Sequence, residues 1–176
     1  MKIKFNPDVA YFTGLWKARR IREGVGIFGD TEAQQIFASE AIKTLGIPPE
    51  KIQVKGDKVF FYHSAYRRYF EKVVEDELEV FRWRNMFACK YVAGMFDGCG
   101  GVDAKIGAVY FAKATDADQI LLERLGLMTR RIGGKVYITA KYVPTFTKHM
   151  LHCMKREELK SRLSALMRSG NERDPR

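Results

Sequence analysis

Residues 91–99 read YVAGMFDGC, and residues 11–19 read YFTGLWKAR. The two stretches align position for position. Each opens on a tyrosine, places a glycine three residues later and is mainly apolar. Small residues stand four apart in both, Gly14 and Ala18 in one, Gly94 and Gly98 in the other. Residues at that spacing share one helical face, and small ones let two backbones approach closely. Helices over 9–18 and 87–98 are therefore expected to pack side by side through Gly14 and Gly94, about a pseudo-twofold axis.

Outward from these stretches the chain repeats itself at a spacing of roughly eighty residues, which makes the unit a half-domain and not a solenoid module. The short apolar runs VGIFGD (25–30) and VYFAKA (109–114) each precede a threonine, at 31 and 115. Asp30 or Thr31 can cap a helix running to Leu45, stopped by Gly46 and Pro48-Pro49. TLGI (44–47) is echoed by ILLERLGL (120–127), and KGDKVFFY (55–62) by IGGKVYIT (132–139). The runs 51–55 and 58–64 flank Gly56-Asp57 and read as a hairpin. A helix follows each hairpin, beginning near Ala65 and near Pro144, and the apolar spacing carries the first through 66–81. The expected organisation is a single domain over 1–176. It comprises two repeats, about 8–84 and 85–155, joined near Arg82–Asn85, and a C-terminal packing helix over 155–170 on Leu159, Leu163, Leu166 and Met167.

Composition narrows the class of partner. The chain has 176 residues, 46% hydrophobic and 30% charged, which is the profile of a folded domain large enough to need no disulfide or metal staple. Lys and Arg number 31 against 21 acids, and the resulting +10 points to a polyanion, nucleic acid first. No apolar run approaches the roughly 18 residues of a membrane span, and Pro7-Asp8 interrupts any signal-peptide core. Three scattered cysteines, Cys89, Cys99 and Cys153, fit a reducing cytoplasm. No phosphate-cradling glycine loop, dinucleotide fingerprint or nucleophile elbow is present. His149, His152 and Cys153 share a helical face without a fourth ligand at a metal-site spacing.

YVAGMFDGCGG (91–101) resembles the LAGLIDADG motif of the homing endonucleases, in the single-chain form with two motif copies, and YFTGLWKAR resembles a more worn first copy. The likeness extends over roughly 8–155, because the order of elements is also that family's. It implies an α+β fold of two αββαββα repeats whose two four-stranded antiparallel sheets form a saddle over duplex DNA, with the motif helices at the centre. In active members an acid at the eighth motif position of each copy binds divalent metal beside the scissile phosphates. Those positions here are Arg19 and Cys99. An arginine cannot ligate Mg²⁺, and a thiol suits so hard a cation poorly. Asp97 falls at the sixth position, where Lys17 stands in the first copy, and Glu23 and Asp103 follow the motifs as the remaining possible substitutes.

Strand alternation assigns a face for binding. Lys51, Gln53 and Lys55 oppose Ile52 and Val54; Lys58 shares a side with Phe60 and Tyr62; and Lys135, Tyr137, Thr139 and Lys141 oppose Val136, Ile138 and Ala140. Thr129 and Arg131 join this outward set, as does Lys113 if Val109 and Phe111 are not the buried side. Lysines and arginines neutralise phosphates, and Arg, Gln and Thr read base edges, while aromatic residues suit unpaired bases. The reading that follows is a monomer with internal pseudo-dimer symmetry that binds DNA or RNA, has no membrane partner and no cofactor, and has lost the family's metal acids. Arg19 would contact a backbone phosphate. The alternatives are a divergent endonuclease needing Mg²⁺, held by Asp97, Asp103 or Glu23, and a scaffold that binds protein alone.

Overall fold

The computed structural model describes residues 3–171. The first repeat runs α1 (Pro7–Arg19), β1 (Val25–Phe28), α2 (Thr31–Leu45), β2 (Gln53–Lys55), β3 (Lys58–Phe61), α3 (Ser64–Glu75) and α4 (Glu77–Val80). The second runs α5 (Met86–Cys99), β4 (Gly100–Asp103), β5 (Ala108–Phe111), α6 (Asp116–Arg124), β6 (Thr129–Ile132), β7 (Lys135–Ile138) and α7 (Val143–Met150), and α8 (Glu157–Asn171) follows. Both sheets are antiparallel, in the orders β1-β3-β2 and β4-β5-β7-β6. Among the described residues no helix is long and apolar enough to cross a membrane.

α1 and α5 form the centre. Each is buried along an unbroken run, Val9 to Trp16 and Tyr91 to Gly98, because each has its partner helix on one side and its own half-domain on the other. The glycines make the contact possible. A Cβ on Gly14 would fall on the carbonyl oxygen of Tyr91, and one on Gly94 on the carbonyl oxygen of Tyr11. A Cβ on Gly98 would meet the methyl group of Ala18. Asparagine caps open both helices, with Val9 N–H donating to Asn6 and Ala88 N–H to Asn85. The equivalent helices α2 and α6 are capped by Asp30 and Thr115, so the repeat pairs Thr115 with Asp30 and not with Thr31.

The expectation of two four-stranded sheets is corrected in the first repeat. Five residues, 20–24, separate α1 from β1, whereas eight, 100–107, separate α5 from β5. Five residues cannot supply a paired strand and a turn. The fourth strand is reduced to one bridge, Arg20 to Ile27, with Gly24 taking the turn at φ 55°. The hairpin before β3 is also shorter than 51–55, because Pro49–Lys51 forms a 3₁₀ turn. The β6–β7 hairpin closes on Gly133-Gly134, both at positive φ, as its two-residue turn requires.

The helix expected over 66–81 is interrupted at Asp76, whose N–H closes α3 on Lys72 O. The break turns Glu77 inward, where Lys17 Nζ lies 2.6 Å from its carboxylate and the Tyr91 hydroxyl also donates to it. The C-terminal helix buries Leu159 and Leu163, and Leu166 and Met167 pack half-buried beside them.

Candidate nucleic-acid interface and motif-helix ends

The eighth motif positions stand at the adjoining ends of α1 and α5. Arg19 Nε donates to the carbonyl of Gly98, so the guanidinium of one motif caps the carbonyl end of the other helix. Its Nη1 reaches Phe28 O at 3.4 Å, and its charge lies 5.7 Å from the Phe28 ring centre. Lys113 Nζ lies 4.8 Å from the same ring. Burial, and then the neighbouring charge of Arg156, hold the Arg19 pKa below its usual value, while Asp30 opposes the shift. Burial pushes the Cys99 thiol up, which keeps it protonated at neutral pH. A cavity of about 140 Å³ opens here, lined by Lys17, Arg20, Cys99, Lys113, Thr115 and Asp118 among others. Hard divalent cations take oxygen donors, and a guanidinium with a neutral thiol supplies none, so the two eighth-position side chains do not fit such an ion.

The sixth positions belong to the packing. Asp97 is fully buried, and its Oδ2 accepts from the Tyr11 hydroxyl at 2.5 Å and from Lys155 N–H at 2.6 Å. Burial raises its pKa to about 6 against these hydrogen bonds. Lys17, at the equivalent place, lies 2.6 Å from Glu77 and 2.5 Å from Asp118, both buried. Asp103 accepts from the N–H groups of Lys105 and Ile106 and closes the β4–β5 turn. Glu23 is exposed in the turn before β1. Asp97, Asp103 and Glu23 thus occupy three separate places, and among the described residues no group of three acids, histidines or cysteines is placed to hold a metal.

The sheets present two faces. Helices cover the side of Val25, Ile27, Val59 and Phe61 in the first and of Val109, Phe111, Val136 and Ile138 in the second, all buried. The opposite side of the first carries Gln53 beside Phe60, and Lys55 and Lys58 beside Phe28. Lys51 sits in the 3₁₀ turn before β2. The opposite side of the second carries Arg130, Tyr137 and Tyr110 in one row and Lys135 in the next. A lysine covers an aromatic ring in each sheet: Lys55 lies 5.5 Å from the Phe60 ring centre, and Lys135 4.5 Å from that of Tyr110. Thr139 follows β7 on the Lys135–Tyr137 side, and Lys141 lies in the 3₁₀ turn Ala140–Tyr142, past the sheet.

Three assignments are corrected. Thr129 and Arg131 pair with Ile138 and Val136, so they face the helices. Thr129 donates to Glu123 at 2.9 Å, and Arg131 lies 3.1 Å from Asp116. β6 is an edge strand, and its helix-side positions reach the rim of the core, where polar groups find partners; the polarity pattern of TRRI is therefore silent about its face. Lys113 fails the condition placed on it, because Val109 and Phe111 are the buried side; it stands at the motif-helix ends. Alternation missed Arg130 and Tyr110, which the pairing with Tyr137 reveals. Arg156 was also missed. Buried at the start of α8, it lies 2.6 Å from Asp30 and 3.2 Å from Glu32, and no local pattern marks it.

No family model matches the chain, and no curated protein matches it either. Solved structures do. Mesophilic variants of the homing endonuclease I-DmoI superpose at a TM-score of 0.63 with 18% identity, over 83% of this chain and 96% of theirs. I-DmoI in complex with DNA and Mn gives 0.62 and 17% over 82% and 96%, and its complex with DNA and Ca gives 0.58 and 17% over 92% and 97%. With almost the whole of I-DmoI spanned, the central pair α1 and α5 with its two flanking sheets superposes on a homing-endonuclease fold, and that is the fold this chain adopts.

Proposed function

We propose that this protein binds duplex DNA along the outer faces of its two sheets and does not cut it. The observation that carries the reading is the Arg19–Gly98 contact. A guanidinium spans the motif ends, where the family resemblance implies metal-holding acids; Lys113 lies over the same Phe28 ring, and Arg20 lines the adjoining cavity. Positive charge at that place favours a backbone phosphate directly, without an intervening cation. Lys55, Lys58, Arg130 and Lys135 extend the positive charge over the two sheets, and Gln53 supplies a group able to read a base edge. The fold is also that of I-DmoI, whose structures include complexes with DNA.

Two measurements test this. Selection from a random duplex pool, followed by titration at rising salt, should give binding that weakens steeply, because counterion release is worth less in concentrated salt. Supercoiled plasmid with Mg²⁺ or Mn²⁺ should remain uncut. Cleavage abolished by Asp103→Asn or Glu23→Gln would overturn the non-cutting reading and establish the endonuclease alternative. Failure to bind any nucleic acid would leave the protein-scaffold reading.

A further inference from the structure

The segment joining the two repeats reads VFRWRNM over 80–86, and it concentrates exposed apolar surface. Val80, Trp83 and Met86 are 36, 64 and 46% exposed. Arg82 and Arg84 flank Trp83 in the chain, and further cations lie near this segment. The Arg82 guanidinium lies 4.9 Å from the Trp83 ring centre. Arg84 Nη2 lies 3.2 Å from His149 Nε2, and its guanidinium packs beside Gly126. Arg124, at the end of α6, donates to Leu78 O at 2.5 Å, which brings it to the same segment. Lys148 and His152 are exposed on either side of His149, whose pKa is lowered by its burial and by the charges of Arg84, Lys148 and His152. Among the described residues one carboxylate pairs with any of Arg82, Arg84, Arg124 or Lys148, and that pair, Arg82–Glu79 at 3.9 Å, is largely exposed.

This surface is distinct from the sheet faces. It belongs to the helix side, at the start of α5, and Cys99 lies at the other end of that helix, about 20 Å away at 1.5 Å per residue. We propose that it is a second nucleic-acid site, which takes a single strand by stacking an unpaired base on Trp83. An exposed indole offers a flat π-face to any base, and the arginines and lysine around it meet the phosphates on either side. A duplex does not suit it, because paired bases are already stacked on one another. The excess of cations over the single paired carboxylate, Glu79, favours a polyanion over a protein partner. The inference is independent of the sheet faces, so either site can fail alone.

The two tryptophans make the test direct. Trp16 is 1% exposed and Trp83 64%, so quenching by a large external probe reports Trp83. Twelve-nucleotide oligo(U) and oligo(dT), neither of which folds, should quench the indole fluorescence in a saturable, salt-sensitive manner. With the fluorophore gone, the variants are read by the anisotropy of end-labelled oligonucleotide: Trp83→Ala should weaken binding about tenfold, as loss of one stacked base does, and Trp83→Phe should recover part of it. Arg82→Ala with Arg84→Ala should weaken it further, and neither change should move duplex affinity or the melting temperature. Unchanged oligonucleotide affinity in Trp83→Ala would overturn the proposal. So would quenching by phosphatidylserine vesicles without quenching by oligonucleotides, or a self-associated free protein that Trp83→Ala makes monomeric.

Discussion

The hydroxyl of Tyr11 donates to Asp97 across the motif-helix pair at 2.5 Å, and both side chains are fully buried. Among the described residues Oδ1 of the carboxylate has no hydrogen-bond partner, and burial raises the pKa to about 6. An acid whose folded pKa exceeds its unfolded value near 4 binds its proton more tightly when folded. Its stabilising contribution is complete below pH 4 and is lost as pH rises through 6, at a cost of about 3 kcal/mol. Asp97→Asn should flatten the stability profile between pH 4 and 7. Denaturant unfolding across that range checks it, and an undiminished slope would assign the dependence to other groups.

Gly14→Ala and Gly94→Ala should each destabilise the protein by about 1–3 kcal/mol or more, because the added Cβ meets a backbone carbonyl that cannot rotate away. The two effects should combine non-additively, since one shift of the helix axes relieves both. Urea unfolding of the single and double variants measures this. Gly46→Ala is a useful contrast, because nothing stands within 4 Å of its added Cβ and its cost comes from φ 67° alone.

Lys17→Met should cost about 3–5 kcal/mol at neutral pH, because Glu77 and Asp118 are then left buried around no cation. Urea unfolding of wild type and variant gives the comparison, and an unchanged stability would contradict the ion cluster.

Arg130→Ala should weaken duplex binding more than Arg131→Ala. Arg130 shares the outer row with Tyr137 and Tyr110, whereas Arg131 is tied to Asp116 and the Ala114 carbonyl. The slope of affinity against salt should fall by about one for each phosphate contact removed. Equal losses from the two changes would place the DNA elsewhere.

Arg19→Asp together with Cys99→Asp should create affinity for Mn²⁺ or Ca²⁺ that the unmodified protein lacks, because two carboxylates then meet at the adjoining helix ends. Calorimetric titration reads it directly. The same pair of changes should weaken DNA binding in the absence of metal, as a cation at the motif ends is lost.

The repeat, the two motif helices and their meeting at Gly14 and Gly94 are legible in the letters alone. Those features depend on local periodicity and on the absence of side chains, which are properties of the letters. The resemblance likewise aligns Arg19 and Cys99 with the eighth motif positions, since that is a matter of register. Other features arise only when the chain folds. The first sheet lacks its fourth strand because the loop before β1 is three residues short, which matters only once the halves are superposed. The face of β6 depends on its pairing with β7, and an edge strand reveals no alternation. The roles of Asp97, Lys17 and Arg156 depend on partners 58 to 126 residues away, among them Tyr11, Glu77, Asp118 and Asp30. A buried charge is identified by what surrounds it, and only the folded chain brings those surroundings together.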